Sequence, residues 1–307
     1  MVGNEMRGIF TIPSTPFKED LSIDIPGFRN IVKFCINCGA HGLVFPVNAS
    51  EFTNLNDDER LILSEEMVKV ADGKIPTVIG VAASTKQGAF KFAAHARRIG
   101  ASAVIAMPPY VRVRPFSDDV IFDYYRGISE VAGIPVFIQN YVPPVGTDMN
   151  SDFLLRLCRE VEWIQYVKEE TIPSTLKIQN LLDTNDGSCR GVFGGSGCRY
   201  LIEEYMRGAC GNMPGCHVTD VCVLLWNALE RGDHDGALRI YRDMAPLFFY
   251  ETQLPGSYKE VLKKRGIISC AASRNSINKP LDTTGSKYLD ECLALLKSHM
   301  AFQGNAD

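Results

Sequence analysis

A chain of 307 residues with 46% hydrophobic and 22% charged residues has the composition of a folded globular protein, which excludes a disordered or collagen-like chain. The length exceeds that of a typical single sandwich and suits one α/β barrel with an appendage, or two domains of about 150 residues each. A net charge of −4 argues against a generally basic nucleic-acid surface, and the absence of a run of about 18 apolar residues argues against a spanning helix.

The segment MVGNEMRGIFTIPSTPF has no apolar stretch long enough for a secretory signal. The ten cysteines therefore read as reduced thiols of a cytoplasmic protein. Cys35 and Cys38 form one CxxC with no second pair nearby, so packing explains them better than zinc. Gly8–Ile12 is apolar enough for a first strand, and Ile25, Phe28, Ile31, Val32 and Cys35 have helical spacing. Gly42–Pro46 reads as a second strand. Asp57–Val70 reads as a helix with Asn56 as N-cap and acidic residues in its first turn. The same alternation then repeats. Strands are expected at Val78–Val81, Ala103–Ala106, Pro135–Ile138, Trp163–Val167, Gly191–Phe193 and, weakly, Cys210–Met213. Helices are expected near Gln87–Ile99, Asp118–Val131, Ser151–Arg159, Pro173–Leu182, Arg199–Met206 and Thr219–Leu229.

Eight strand–helix units with near-continuous apolar strands predict a parallel sheet covered on both faces, and their number predicts an α/β protein of the (β/α)8 TIM-barrel class. A doubly wound sheet is the alternative, but no GxGxxG follows the first strand. Two or three further helices are expected between Asp233 and Met300. This divides the chain into a catalytic barrel over residues 1–230 and a C-terminal helical extension over 231–307.

Chemistry in such a barrel sits at the C-terminal ends of the strands. Lys168 ends an apolar strand and is followed by Glu169 and Glu170. One reading is a rim lysine paired with a carboxylate. The other is an amine at the barrel mouth, where desolvation exposes a neutral nucleophile for a carbonyl. Strand alternation gives Glu170 the same side as Lys168, provided the chain stays extended, and turns Glu169 away. Glu170 is therefore the acid–base candidate. The five histidines are dispersed and show no metal spacing, and neither GxSxG nor a Walker loop occurs. The run Gly194–Gly197 is either an anion-binding turn ahead of a helix or a place where backbone passes close to an organic substrate.

These residues resemble the dihydrodipicolinate synthase/N-acetylneuraminate lyase family of class I aldolases. The resemblance covers about residues 7–300. It rests on Thr15-Pro-Phe17, Gly42–Glu51, Pro108-Pro-Tyr110, Pro135–Gly146 and Val167-Lys168-Glu-Glu-Thr171. It implies a barrel with a helical extension, a homotetramer, a small keto-acid substrate, and Lys168 as the Schiff-base lysine. No metal is expected from the cysteine and histidine spacing, and nothing suggests a cofactor, because the lysine imine is itself the electron sink. Nucleic-acid and membrane partners are not expected.

The departures from the family pattern narrow the chemistry. The loop after strand two reads Val47-Asn48-Ala49-Ser50-Glu51, with Asn48 in place of the usual hydroxyl residue. Its backbone still suits a substrate carboxylate, so Asn48, Ala49 and Ser50 are expected to bind substrate, with Tyr141 and Gly195 as further contacts. Gln139 replaces the proton-shuttling tyrosine, Val111 a second relay tyrosine, and Pro144 the arginine that synthases use. An amide does not titrate near neutral pH, so Gln139 cannot be a general acid. Glu170 stands where most members carry a small residue. Tyr141 could take over the lost tyrosine's place only if its turn stays extended.

This combination is similar to the 2-keto-3-deoxy-L-arabonate dehydratase branch of sugar-acid catabolism. It implies a hydro-lyase using Lys168, Glu170 and Gln139. The competing expectations are an aldolase releasing pyruvate and a non-catalytic barrel that binds a keto acid.

Overall fold

The computed structural model describes residues 6–109, 116–141, 147–254, 257–275 and 280–301. Eight parallel strands follow one another in chain order around a closed barrel. They are β1 (Gly8–Thr11), β2 (Gly42–Phe45), β3 (Thr77–Gly80), β4 (Ala103–Ala106), β5 (Val136–Asn140), β6 (Ile164–Glu169), β7 (Gly191–Gly194) and β8 (Gly211–Asn212). Every strand residue is buried, as expected of a parallel sheet covered on both faces. The expected (β/α)8 TIM barrel is therefore the fold.

The described residues group into two compact units, Met1–Arg7 with Pro76–Met213, and Gly8–Ile75 with Pro214–Asp307. The first contains β3 to β8 and helices α3 (Lys86–Arg98), α4 (Asp118–Ala132), α5 (Ser151–Glu160), α6 (Ser174–Thr184) and α7 (Leu201–Met206). Its strands β5 and β6 pair with Gln139 opposite Lys168 and Asn140 opposite Glu169. On the Gln139 and Lys168 face lie Phe137 and Tyr166, stacked with ring centres 4.6 Å apart, and Phe193 of β7 meets Phe137 edge-on.

The second unit contains β1, β2, α1 (Ile25–Asn37), α2 (Asp57–Ala71), α8 (Thr219–Glu230) and three further helices. These are α9 (His234–Gln253), α10 (Ser257–Lys264) and α11 (Thr283–Leu296). Asn56 caps α2 as expected. Its side chain accepts from the Glu59 N–H at 2.9 Å, and Glu59 accepts in return from the Asn56 N–H at 3.0 Å.

Two strands run further than their apolar patterns. β5 includes Gln139 and Asn140, and β6 includes Lys168 and Glu169. Apolar runs stop where polar side chains begin, but the backbone ladder continues because these polar side chains are buried against one another. The Glu170 N–H extends it one step further by donating to the Asn140 carbonyl at 3.0 Å.

Candidate active site

Lys168 and Glu170 meet as alternation requires. Lys168 Nζ lies 3.0 Å from Glu170 Oε2, with the two side chains 3% and 9% exposed. The Glu170 bond to the Asn140 carbonyl keeps the chain extended past β6, so residues 168 and 170 share a side. Gln139 Nε2 donates to the same Glu170 oxygen at 2.7 Å, and the Ser196 N–H donates to the other at 3.1 Å. Glu170 is thus a positioned base beside an amine whose proton it can accept. Gln139 retains a second N–H and an oxygen for a hydroxyl.

Glu169 turns the other way. Asn140 Nδ2 donates to it at 2.7 Å and the Thr171 N–H at 2.7 Å. Asn140 also bonds the Met149 carbonyl and N–H, both at 2.9 Å. Burial pushes the Glu169 carboxyl up, and its hydrogen bonds oppose that. Glu169 therefore ties the end of β6 to Asn140 and Thr171, whereas its neighbour Glu170 faces Lys168.

Gly195 lies against Glu170. A Cβ there would fall 2.2 Å from Glu170 Oε1, so a side chain at this position would push the carboxylate from its place. The glycine-rich turn thus engages Glu170, through Gly195 and the Ser196 N–H. Ser196, Gly197 and Cys198 all have left-handed backbone, with φ of 52°, 66° and 67°. Tyr141 follows β5 directly. Burial raises its phenol; the Glu170 carboxylate adds to the rise and Arg199 opposes it.

In the other unit, Asn48–Ser50 form a 3₁₀ turn after β2. Thr15 Oγ1 donates to the Ser50 carbonyl at 2.6 Å, and the Val47 N–H to Ser50 Oγ at 3.4 Å. Glu51 follows at φ 58° and pairs with Lys259 of α10. Tyr110, Val111 and Pro144 lie outside the described residues.

Glu204 escaped the sequence reading. It is one of two adjacent acidic residues on α7. Glu203 is an ordinary exposed partner of Arg207 at 2.8 Å, whereas Glu204 is fully buried. The signal that could have found it is Gly194, where a Cβ would fall 1.9 Å from Glu204 Oε2.

The family model for the dihydrodipicolinate synthetase family matches residues 5–298. The chain belongs to that family. It is 29% identical over 275 residues to an L-2-keto-3-deoxyarabonate dehydratase of Azospirillum brasilense, covering 88% of each chain. It is 33% identical over 181 residues, 59% of each chain, to a protein named as a probable 2-dehydro-3-deoxy-D-pentonate aldolase of Escherichia coli. Among solved structures it superposes on a dihydrodipicolinate synthase from Rhodopseudomonas palustris with a TM-score of 0.87 at 27% identity, covering 95% and 98% of the two chains. The chain is accordingly a lyase of the dihydrodipicolinate synthetase family, and its relatives carry dehydratase, aldolase and synthase names. Among the described residues no helix is long and apolar enough to cross a membrane.

Proposed function

We propose that this lyase is a Schiff-base dehydratase of 2-keto-3-deoxy sugar acids, with 2-keto-3-deoxy-L-arabonate as substrate and 2-oxoglutarate semialdehyde as product. The observation that carries the reading is Glu170 held by Gln139 at 2.7 Å and standing 3.0 Å from Lys168. A titratable base serves the lysine, and an amide occupies the place of the family's proton-shuttling tyrosine. The similarity to the Azospirillum dehydratase supports the same choice.

The reaction balances as loss of one water. Glu170 takes the Lys168 proton, and the amine adds to the C2 carbonyl to give an iminium, with the carbonyl oxygen leaving as water. The iminium acidifies C3, and Glu170 removes a C3 proton. The resulting enamine expels the C4 hydroxyl, which leaves as water with the proton from Glu170. Gln139 orients that hydroxyl. A proton then moves from C5 to C3, the enol so formed tautomerises to the aldehyde, and hydrolysis of the imine returns the first water and frees Lys168. Asn48, Ala49 and Ser50 are assigned to the C1 carboxylate, and Tyr141 and Gly195 to the substrate's flank. Retro-aldol cleavage instead requires a base on the C4 hydroxyl, the step given to the tyrosine that Gln139 replaces.

Product identification by NMR tests the proposal. Semialdehyde without pyruvate from 2-keto-3-deoxy-L-arabonate supports it. Pyruvate with glycolaldehyde overturns it in favour of the aldolase reading, which the similarity to the Escherichia coli relative favours. Family membership further supports a cytoplasmic homotetramer, which light scattering checks, and a division into barrel (1–230) and extension (231–307).

A further inference from the structure

Behind the lysine and its base sits a second carboxyl that the reaction does not use. Glu204 projects from α7 and is 0% exposed. Its Oε2 accepts from Asn212 Nδ2 of β8 at 2.8 Å, and its Oε1 has no partner at hydrogen-bond distance among the described residues. Asn212 also donates to the Gly195 carbonyl at 3.0 Å and accepts from the Cys198 thiol at 3.3 Å. This network holds the turn that presents the Ser196 N–H to Glu170.

The two glycines of that turn each make room for one carboxyl. A Cβ at Gly194 would collide with Glu204, and a Cβ at Gly195 with Glu170. The turn is therefore a partition between two acids, one aimed at Lys168 and one sealed in the protein. Lys168 supplies one positive charge, which Glu170 already neutralises. A second buried anion would, among the described residues, have no cation of its own and only the Asn212 amide at full hydrogen-bond distance, an arrangement that is costly unless the group keeps its proton.

We infer that Glu204 is a positioning residue that works as a neutral carboxylic acid, and that its ionisation sets the alkaline limit of imine chemistry at Lys168. The inference rests on the Schiff-base reading above. Burial pushes the Glu204 carboxyl up to about 8; the Asn212 amide opposes, Glu170 adds to the rise, and the Gly195 N–H and Lys168 oppose. Glu170 and Lys168 are the charged groups that weigh most on it. Once ionised, Glu204 adds a negative charge beside the pair, holds the Lys168 proton in place and loosens the turn.

The test is the rate of reductive trapping of pyruvate on the full-length protein as a function of pH, with an infrared titration of the carboxylic-acid carbonyl band. One pH unit above the Glu204 midpoint about a tenth of the wild-type trapping rate should remain, as for any single-proton loss. E204Q, which keeps the shape and the neutral state, should lose that alkaline limb and keep its neutral-pH rate. The wild type should show a carboxylic-acid band that disappears through pH about 8 and is missing from E204Q. Glu169 is the other carboxyl raised by burial near the site, so E169Q assigns the remaining band to Glu204 even should E204Q fail to fold. An identical alkaline limb in E204Q, or no band left in E169Q, overturns the inference. Absence of any pyruvate adduct overturns the Schiff-base reading instead, while the band still reports on Glu204.

Discussion

Among the described residues two buried lysine–glutamate pairs occur, one in each unit, and their surroundings differ. Lys259 pairs with Glu51, donates to the Ala272 carbonyl at 2.6 Å and the Thr15 carbonyl at 3.3 Å, and lies 4.6 Å from the centre of the Phe17 ring. All three of its hydrogens are committed. Arg274 covers the same ring at 4.5 Å and bonds Glu59 at 2.6 and 2.7 Å. The pair fastens α10 and the 270–275 segment to the turn after β2. Lys168 has, among the described residues, one polar partner, Glu170 at 3.0 Å. Burial and pairing are common to both lysines. Spare hydrogen-bonding capacity distinguishes Lys168, the lysine proposed to react, because an amine must be free to give up its proton and form a new bond.

The sharpest way to break this comparison is to remove each lysine. Lys168→Ala should abolish turnover and all borohydride-trapped adduct with pyruvate, read by intact mass, while the protein stays folded. Glu170→Gln should still form the adduct but lose dehydration by about 10²–10⁴-fold, the usual worth of a general base. Dehydration surviving intact in either variant would sink the assignment. Lys259→Met should do the reverse of Lys168→Ala. It strands Glu51 in a buried place, so denaturant unfolding should show a loss of about 3–5 kcal/mol, with trapping at Lys168 retained in the folded protein.

Glu204 gives a pH-dependent contrast. Its carboxyl rises from the ordinary 4.5 to about 8, so the folded protein holds a proton that the unfolded chain releases. A raised acid contributes most below the lower value, and that contribution is lost as pH climbs through the higher one. The stability of the wild type relative to Glu204→Gln should therefore fall with increasing pH across this window, as thermal unfolding at several pH values would show. Tyr141→Phe should have the smallest effect. A loss of turnover well below the ~10²-fold expected of a missing general acid agrees with dehydration. A larger loss, with pyruvate as product, would give Tyr141 the vanished tyrosine's role.

Much of this was legible in the sequence. Apolar runs separated by helical periods located the strands, β8 only weakly, because a parallel sheet buried on both faces is apolar along most of its length; the polar ends of β5 and β6 lay beyond those runs. Asn56 announced the start of α2 because an unsatisfied first turn needs a side-chain acceptor. Alternation separated Glu170 from Glu169, since a period of two is fixed by the backbone whatever surrounds it. What the sequence could not supply was the partner of each polar group. That Gln139 grips Glu170, that Gly195 is glycine to admit a carboxylate, that Glu204 is sealed while Glu203 is exposed, and that Lys259 is tied to the turn after β2 all depend on residues from 8 to 244 positions apart. Local chemistry is written in neighbouring residues, whereas desolvation and pairing arise only when folding brings distant ones together.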